Sequence, residues 1–418
     1  MNYLEAEGYL FGRRQLGMKF GLERAEMLLE AVGNPERSFR TIHVVGTNGK
    51  GSTTAMLSEM LLRLGFRTGR MTSPHLLHFR ERAAVDNRWI TEEAVVSFVE
   101  TYRDAIEELG ATFFEITTVM SAWYFRERGV EIAAVEAGLG GRLDATRLMG
   151  GECTIFTGVE LEHRRILGST EAAIAAEKVA IAAPGTTLIA YKQAADVEEV
   201  IGLAVRAGGL ERIVPKPSSS APIPGTHQKR NTGLVLAAVR RCSGRREEEI
   251  RTAFRAMCST LRWAGRLDLR GGTPPILFDV AHNPGSMASL VEHLRKRRRR
   301  LPVPAVVGFL EDKMWREMIG QIRGVLDPVV ATTPLNERQL PAETLAAELT
   351  AAGVRTECED DIGTALARGR AIASDLLVVT GSFFVVGEAM NLAWKNGWIR
   401  PPESGSEEEQ VLRTFGGP

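Results

Sequence analysis

Residues 42–53 read Ile-His-Val-Val-Gly-Thr-Asn-Gly-Lys-Gly-Ser-Thr, and this stretch restricts the fold more than any other. A short β-branched run ends at Gly46 in a glycine-rich turn that carries Lys50 and the hydroxyls of Ser52 and Thr53. A helical pattern follows, Ala55-Met56-Leu57 and then Met60-Leu61-Leu62, up to Gly65. Strand, turn and helix N-terminus in that order gather backbone N–H groups and a positive dipole end around one point. Glycines let the backbone approach an anion closely, and Lys50 adds a full charge. The expected ligand is a nucleotide polyphosphate, with Ser52 or Thr53 in reach of a metal bound to it. The common phosphate loop has Gly-Lys followed directly by Ser or Thr. Here Gly51 intervenes between Lys50 and Ser52, which marks a particular subtype. A ligand-free turn would have no use for a lysine flanked by glycines.

Such a unit belongs in a parallel α/β sheet, and the 418-residue chain is long enough for two or three domains. Composition excludes several partners. The formal net charge is zero, so no basic excess points to nucleic acid. The run Arg295-Lys296-Arg297-Arg298-Arg299-Arg300 has no interleaved aromatics and reads as a solvated helix end. No apolar run approaches a membrane span, and the start of the chain lacks the basic and apolar regions of a signal peptide. Cys153, Cys242, Cys258 and Cys358 are scattered without metal-type spacing, so a reducing cytoplasm is the expected setting.

Along the chain, residues 4–33 read as helical and stop at Gly33-Asn34-Pro35. Thr68 to His75 reads as the end of a second strand, 91–109 as a capped amphipathic helix, and Glu115–Arg128 as another helix. Ile132-Ala133-Ala134-Val135-Glu136 is a buried strand before a glycine turn at 137–142, and Ile155–Val159 a further strand ending near His163. From 183 to 224 the signal weakens, and 215–222 reads as linker. Residues 228–258 are helical. A second β/α alternation starts near Pro275-Ile276-Leu277-Phe278-Asp279 and runs through 305–309, 329–333 and 376–380. The expected architecture is α/β: a parallel-sheet P-loop ATPase domain (1–268), then a smaller Rossmann-like α/β domain (269–400) and a mobile tail (401–418).

Ligands in such sheets collect beyond the carboxyl ends of strands, where Lys50, Ser73, Glu136 and His163 all fall. A carboxylate at the end of a buried strand needs a cation, a metal or N–H donors. Glu136 and His163, with Ser52 and Ser73, offer oxygen and imidazole ligands for Mg²⁺ on phosphates. Alternatively, Glu136 caps the next turn and His163 is a satisfied core histidine. Lys178 lies on a mostly apolar helix, where a lysine ordinarily snorkels to the surface. Asp279, His282 and Asn283 cluster at a strand end before Pro284-Gly285. They make a second strand-end site unless Asn283 is simply a helix cap.

Gly46-Thr47-Asn48-Gly49-Lys50-Gly51-Ser52 resembles the ATP loop of the Mur ligases, in their folylpolyglutamate synthase/dihydrofolate synthase branch. Gly21-Leu22-Glu23-Arg24, Thr72-Ser73-Pro74-His75-Leu76, Phe79-Arg80-Glu81-Arg82, the 136–146 segment, Ala176-Glu177-Lys178, His227-Gln228 with Asn231, Gly265-Arg266-Leu267, the 279–284 segment and Thr380-Gly381-Ser382-Phe383 extend the likeness in order along most of the chain. The resemblance implies ATP-dependent amide formation. The γ-phosphate passes to a carboxylate of a folate or dihydropteroate, and the amine of L-glutamate displaces it. By resemblance, Thr47, Asn48, Gly49, Lys50, Gly51, Ser52, Asn231, Arg266 and Asp279 hold ATP, and Ser52, Ser73, Glu136 and His163 face Mg²⁺, two ions in all. The resemblance also allows a monovalent cation. Lys178 matches a lysine carbamylated in the family, so Lys50, Lys178 and His282 are the expected catalytic group. Phe114, Glu115, Thr117, Leu143, Asp144 and Ala145 match acceptor-side positions, and His282 and Ser382 match positions near the glutamate. The implied species is a monomer with small-molecule substrates, no nucleic acid and no membrane.

The chain departs from the family pattern at Glu162 and Arg164 around His163, at Arg147 after Asp144-Ala145-Thr146, at Met314 after Asp312-Lys313, and in a short 178–231 stretch. The first two arginines add positive charge on the acceptor side. Two other readings therefore stand beside the leading one. One is a relative that joins an amino acid to a non-folate carboxylate; the other is a nucleotide-binding protein without ligase activity.

Overall fold

The run Arg40–Val45 forms a strand buried at every residue but the first, the pattern of a strand covered on both faces. It is β1 of an eight-stranded sheet. In chain order the others are β2 (Thr68–Met71), β3 (Ala83–Val85), β4 (Arg88–Trp89), β5 (Ile132–Glu136), β6 (Cys153–Phe156), β7 (Thr187–Ala190) and β8 (Glu211–Ile213). Laterally they run β4-β3-β2-β5-β1-β6-β7-β8. β1 pairs in parallel with β5 on one side and β6 on the other, and only the β2-β3-β4 edge is antiparallel. The chain thus leaves β1 toward β2 and β5, and later continues to β6, β7 and β8 on the opposite side. That reversal puts the carboxyl end of β1 at a topological switch point, the position where α/β sheets collect ligands.

The computed structural model describes residues 1–17, 21–297 and 301–399. The expected tail at 401–418 and residues 298–300 of the basic run lie outside them. Contacts divide the chain into two units. One comprises Met1–His75, Phe79–Pro222 and Gln228–Leu261; the other comprises Leu76–His78, Ile223–His227 and the residues from Arg262 onward. The second unit has a six-stranded sheet of β9 (Asp268–Arg270), β10 (Ile276–Asp279), β11 (Val303–Val307), β12 (Leu326–Ala331), β13 (Thr356–Cys358) and β14 (Leu377–Thr380), ordered β13-β12-β11-β14-β10-β9. All its pairs are parallel except β9 with β10. Both units are α/β with mainly parallel sheets, as the strand–helix alternation predicts.

Several local expectations need correction. Residues 183–224 are not a featureless stretch: they hold β7, helix Ala195–Gly208 and β8. Each strand there has only three or four residues, too few for a period to register. Residues 4–33 form two separate α-helices, Tyr3–Gly12 and Glu23–Ala31. The 228–258 helix is two, Thr226–Cys242 and Glu247–Thr260, parted at Ser243-Gly244, where Gly244 has φ +65°. The strand expected over 155–159 is β6, two residues earlier. Helix Glu92–Glu108 starts under a Thr91 cap that accepts from the Ala94 N–H, as read.

Candidate active site

The loop after β1 feeds directly into helix Lys50–Arg63, with Gly49 at its N-cap in the left-handed region (φ +83°). A side chain at Gly49 would meet the Asn231 amide at 3.0 Å, and one at Gly46 would meet Thr157 Oγ1. The loop is tied down from the β6 side. The Thr47 N–H donates to the Gly158 carbonyl (2.9 Å), Thr157 Oγ1 donates to the Asn48 carbonyl (2.7 Å), and Asn48 Nδ2 donates to Glu160 (3.0 Å). From helix Thr226–Cys242, Gln228 Nε2 donates to Ser52 Oγ (3.2 Å), while Gln228 Oε1 accepts from Asn231 (3.0 Å). Lys50 folds back, its Nζ donating to the Thr47 carbonyl at 3.0 Å. The first-turn N–H groups of a helix have no acceptor within it, and with the Lys50 ammonium at the same end they suit an anion.

Glu136 closes β5, and Val44 lies opposite it in register on β1. Its buried carboxylate accepts from the Ser73 N–H at 3.0 Å. Ser73 follows β2, so two strand ends meet at this carboxylate. Ser52, 1% exposed, sits one helical step inside the loop. His163 is N-cap of the short helix Arg164–Leu167 in a left-handed conformation (φ 52°), with Nε2 3.9 Å from Glu162. Among the described residues, no three His, Cys, Asp or Glu side chains are gathered closely enough to hold a metal unaided. The expected set mixes a carboxylate, an imidazole and two hydroxyls. That is a donor chemistry for a hard cation that takes its remaining ligands from phosphate and water.

Lys178 is not the surface lysine that its apolar helix implies. It is buried, and its Nζ donates to the Gly46 carbonyl of the loop at 2.8 Å. Burial first, then the nearby Lys50 charge, lowers its pKa to about 7, against the pull of Glu162 and Asp144. Helix Glu171–Val179 ends against the 137–142 turn. A side chain at Gly141 would strike the Lys178 carbonyl, and the Arg142 N–H donates to the Glu177 carbonyl (2.8 Å). A long-range hydrogen bond of this kind leaves no trace in helical periodicity, so reading residues alone misses it.

The acceptor-side positions fall into two groups. Glu115 completes a capping box with Thr112 and pairs with Arg24 at 3.0 Å; the Thr117 hydroxyl donates to the Phe113 carbonyl. Asp144 accepts from the N–H groups of Leu139 (2.8 Å) and Thr146 (3.0 Å), and burial pushes its carboxyl up. Ala145 is buried as well. Phe114 and Leu143, by contrast, are half-buried, and Phe114 lies so close to Gly138 that a side chain there would collide with its ring. Of the two departures toward arginine, Arg147 reaches the Arg142 carbonyl (2.9 Å) and Arg164 opens the helix behind His163.

In the second unit Asp279 ends β10, in register with Thr380 of β14. Its carboxylate accepts from the N–H groups of Leu267 (2.8 Å) and Ala281 (3.0 Å), while burial raises its pKa to about 6. The Arg266 guanidinium lies 4.9 Å from the Phe383 ring centre, and the His282 ring 5.5 Å from it. His282 Nδ1 is 2.8 Å from the Val280 carbonyl; since a carbonyl only accepts, the proton is on Nδ1. Ser382 caps helix Phe383–Lys395 by accepting from the Val385 N–H, and Asn283 accepts from the Ser286 N–H. The capping reading of Asn283 is therefore the observed one. Gln228 and Glu160 are absent from the expected site residues although both hold the loop. Gln228 lies three residues before Asn231, one helical turn, which was the available signal.

The Mur ligase, glutamate ligase domain family matches residues 265–383. A Mycobacterium tuberculosis protein named dihydrofolate synthase/folylpolyglutamate synthase is 30% identical, over 89% of this chain and 89% of its own. A Haloferax volcanii protein named probable bifunctional folylpolyglutamate synthase/dihydropteroate synthase is 32% identical over 93% of this chain, but the chain spans only about half (50%) of that relative's length. The crystal structure of a bifunctional folylpolyglutamate synthase/dihydrofolate synthase from Yersinia pestis, complexed with AMPPNP and a Mn ion, is 25% identical. It aligns with TM-score 0.81 over 93% of this chain and 97% of that one.

Proposed function

The chain belongs to the folylpolyglutamate synthase/dihydrofolate synthase family of Mur ligases, and from that premise we propose that it is an ATP-dependent ligase. It would join L-glutamate by an amide bond to a carboxylate of a folate or dihydropteroate. The observation that carries this reading is the meeting of Glu136, Ser73 and the loop of residues 46–52 with the buried Lys178 amine.

The substrate ATP would lie with its phosphates on the N–H groups of residues 49–52 and against Lys50, whose charge stabilises the migrating phosphoryl group. Asn231 in the first unit and Arg266 and Asp279 in the second supply further nucleotide contacts. The acceptor carboxylate attacks the γ-phosphorus and ADP departs, leaving an acyl phosphate. The glutamate amine then attacks its carbonyl carbon, inorganic phosphate leaves, and the amine gives up a proton. His282, with its proton on Nδ1, keeps Nε2 basic for that proton, and Ser382 stands near the glutamate. Phe114 and Leu143 present apolar surface to the acceptor, with Glu115, Thr117, Asp144 and Ala145 shaping the wall behind them. Residues 1–268 would thus hold the phosphates and the acceptor, and 269–400 the amino acid together with the Asp279 contact to ATP, in a monomer.

Mg²⁺, when bound, screens phosphate charge; Ser52, Ser73, Glu136 and His163 are the residues that would hold it. An amine of pKa about 7 is largely available as the free base at slightly alkaline pH. It can add to CO₂ with loss of one proton, so Lys178 becomes a carbamate. That change would turn a buried cation into an anion beside the loop.

The direct test is phosphate release from ATP with glutamate plus dihydropteroate or tetrahydrofolate. Release with either acceptor supports the assignment. Release only with another carboxylate supports the second reading, which the added Arg147 and Arg164 favour, and no release with a broad acceptor panel leaves a nucleotide-binding protein.

A further inference from the structure

Arg82 is only 7% exposed, at the end of the turn Phe79–Arg82. Its backbone is pinned at the carboxyl end of β2: the Thr72 N–H donates to the Arg82 carbonyl at 3.1 Å, and the next N–H, that of Ser73, goes to Glu136. The guanidinium is also near enough to Glu136 for the two charges to act on each other. Its hydrogen-bond and ring partners are neutral. Nε donates to His75 Nδ1 at 2.9 Å, and the guanidinium carbon lies 5.0 Å from the centre of the Phe113 ring. No Asp or Glu among the described residues forms an ion pair with it, whereas Arg24 in the same unit has Glu115 at 3.0 Å.

A second cation lies close by. The Arg14 guanidinium is 4.2 Å from the Phe11 ring centre and 4.7 Å from that of Phe113. Phe11, Phe79 and Phe113 pack on one another with ring centres 5.7–5.9 Å apart. Burial, then Arg14, lowers the Arg82 pKa to about 10 against the weaker pull of Glu81 and Glu136, so the group is still charged at neutral pH. A guanidinium this deeply buried requires an anion, because aromatic faces and an imidazole replace only part of its lost hydration. Among the described residues Glu81 and Glu136 act on it only through space and none forms an ion pair with it, which leaves room for a ligand's carboxylate.

We propose that Arg82, with Arg14 beside it, holds the acceptor's carboxylate, and that the Phe11–Phe79–Phe113 cluster flanks the aromatic body carrying that carboxylate. This rests on the ligase reading above and names a specificity determinant within it. Arg82 would place the carboxylate for phosphorylation and reject acceptors that lack the negative charge.

The experiment compares wild type, Arg82→Met and Arg82→Lys in two assays. The first is direct binding of dihydropteroate and of its carboxamide, which cannot be phosphorylated. Wild type should favour the acid by about 10- to 100-fold, as expected of a charge-assisted hydrogen bond. Arg82→Met should lose that preference and Arg82→Lys should keep part of it. The second assay is KM for each substrate. Arg82→Met should raise the acceptor KM by a similar factor while the ATP and glutamate values stay within about twofold. Arg82→Met should also melt no lower than wild type, since it removes a buried charge that has no ion-pair partner. Unchanged acid-over-amide preference in Arg82→Met, or a shift confined to the ATP or glutamate KM, overturns the assignment. Failure of the ligase reading would show separately, as no turnover of any folate acceptor by wild type.

Discussion

Replacing Lys178 with methionine tests both the burial of this amine and the chemistry assigned to it. The side chain is nearly isosteric, so packing is largely kept, while the charge and the 2.8 Å bond to Gly46 are lost. Lowering the pKa from 10.5 to about 7 corresponds to a penalty of about 5 kcal/mol on the buried charged form. Because the folded value lies below the unfolded one, the unfolded chain binds more protons between pH 7 and 10.5, and wild-type stability rises with pH across that window. Below about pH 7 both states are protonated and the full penalty applies. Losing one hydrogen bond offsets about 1 kcal/mol. In CO₂-free buffer at about pH 6, where the folded amine is protonated, Lys178→Met should therefore be more stable than wild type by about 4 kcal/mol, with that advantage gone near pH 10.5. Urea unfolding of both proteins at a series of pH values measures the difference. A gap that stays flat from pH 7 to 10 would refute the buried-amine argument. With ¹³C-bicarbonate, wild type should show a carbamate carbonyl signal and the variant none, and the variant should lose ligase turnover.

Lys50→Ala and Glu136→Ala should each abolish phosphate release while the far-ultraviolet circular dichroism stays that of wild type; near-normal turnover in either contradicts the site. Gly49→Ala places a Cβ 3.0 Å from Asn231 at φ +83°, which should cost about 1–2 kcal/mol of stability and weaken nucleotide binding, read by titration calorimetry. Asp279→Asn should destabilise the fold by about 1–3 kcal/mol, since an amide NH₂ must face one of the N–H groups of Leu267 and Ala281; an unfolding midpoint at or above that of wild type would contradict it.

What sequence reveals here follows the range of the interactions. β1, its loop and the following helix, the β5 strand and the Thr91 cap were legible because neighbours in the chain determine them. The β7–β8 region was not, since strands of three or four residues carry no period, and their pairing with β6 is a contact between distant segments. Lys178 shows the same limit: its helix reads as amphipathic, but the acceptor that makes it a buried amine is Gly46, 132 residues away. Gln228 and Arg82 lay within segments that carry the family likeness, yet without an assigned part. Their significance appears only when Ser52 or an unneutralised charge is found beside them.

The ties on the phosphate loop have a kinetic consequence. Thr157 and Asn48–Glu160 hold it from one flank and Gln228 with Asn231 from the other, so its N–H groups are aligned before any nucleotide arrives. Little conformational freedom remains to be lost there on binding. Nucleotide capture by this loop should consequently be fast and only weakly temperature-dependent, so that a slow step in turnover belongs to acceptor or glutamate.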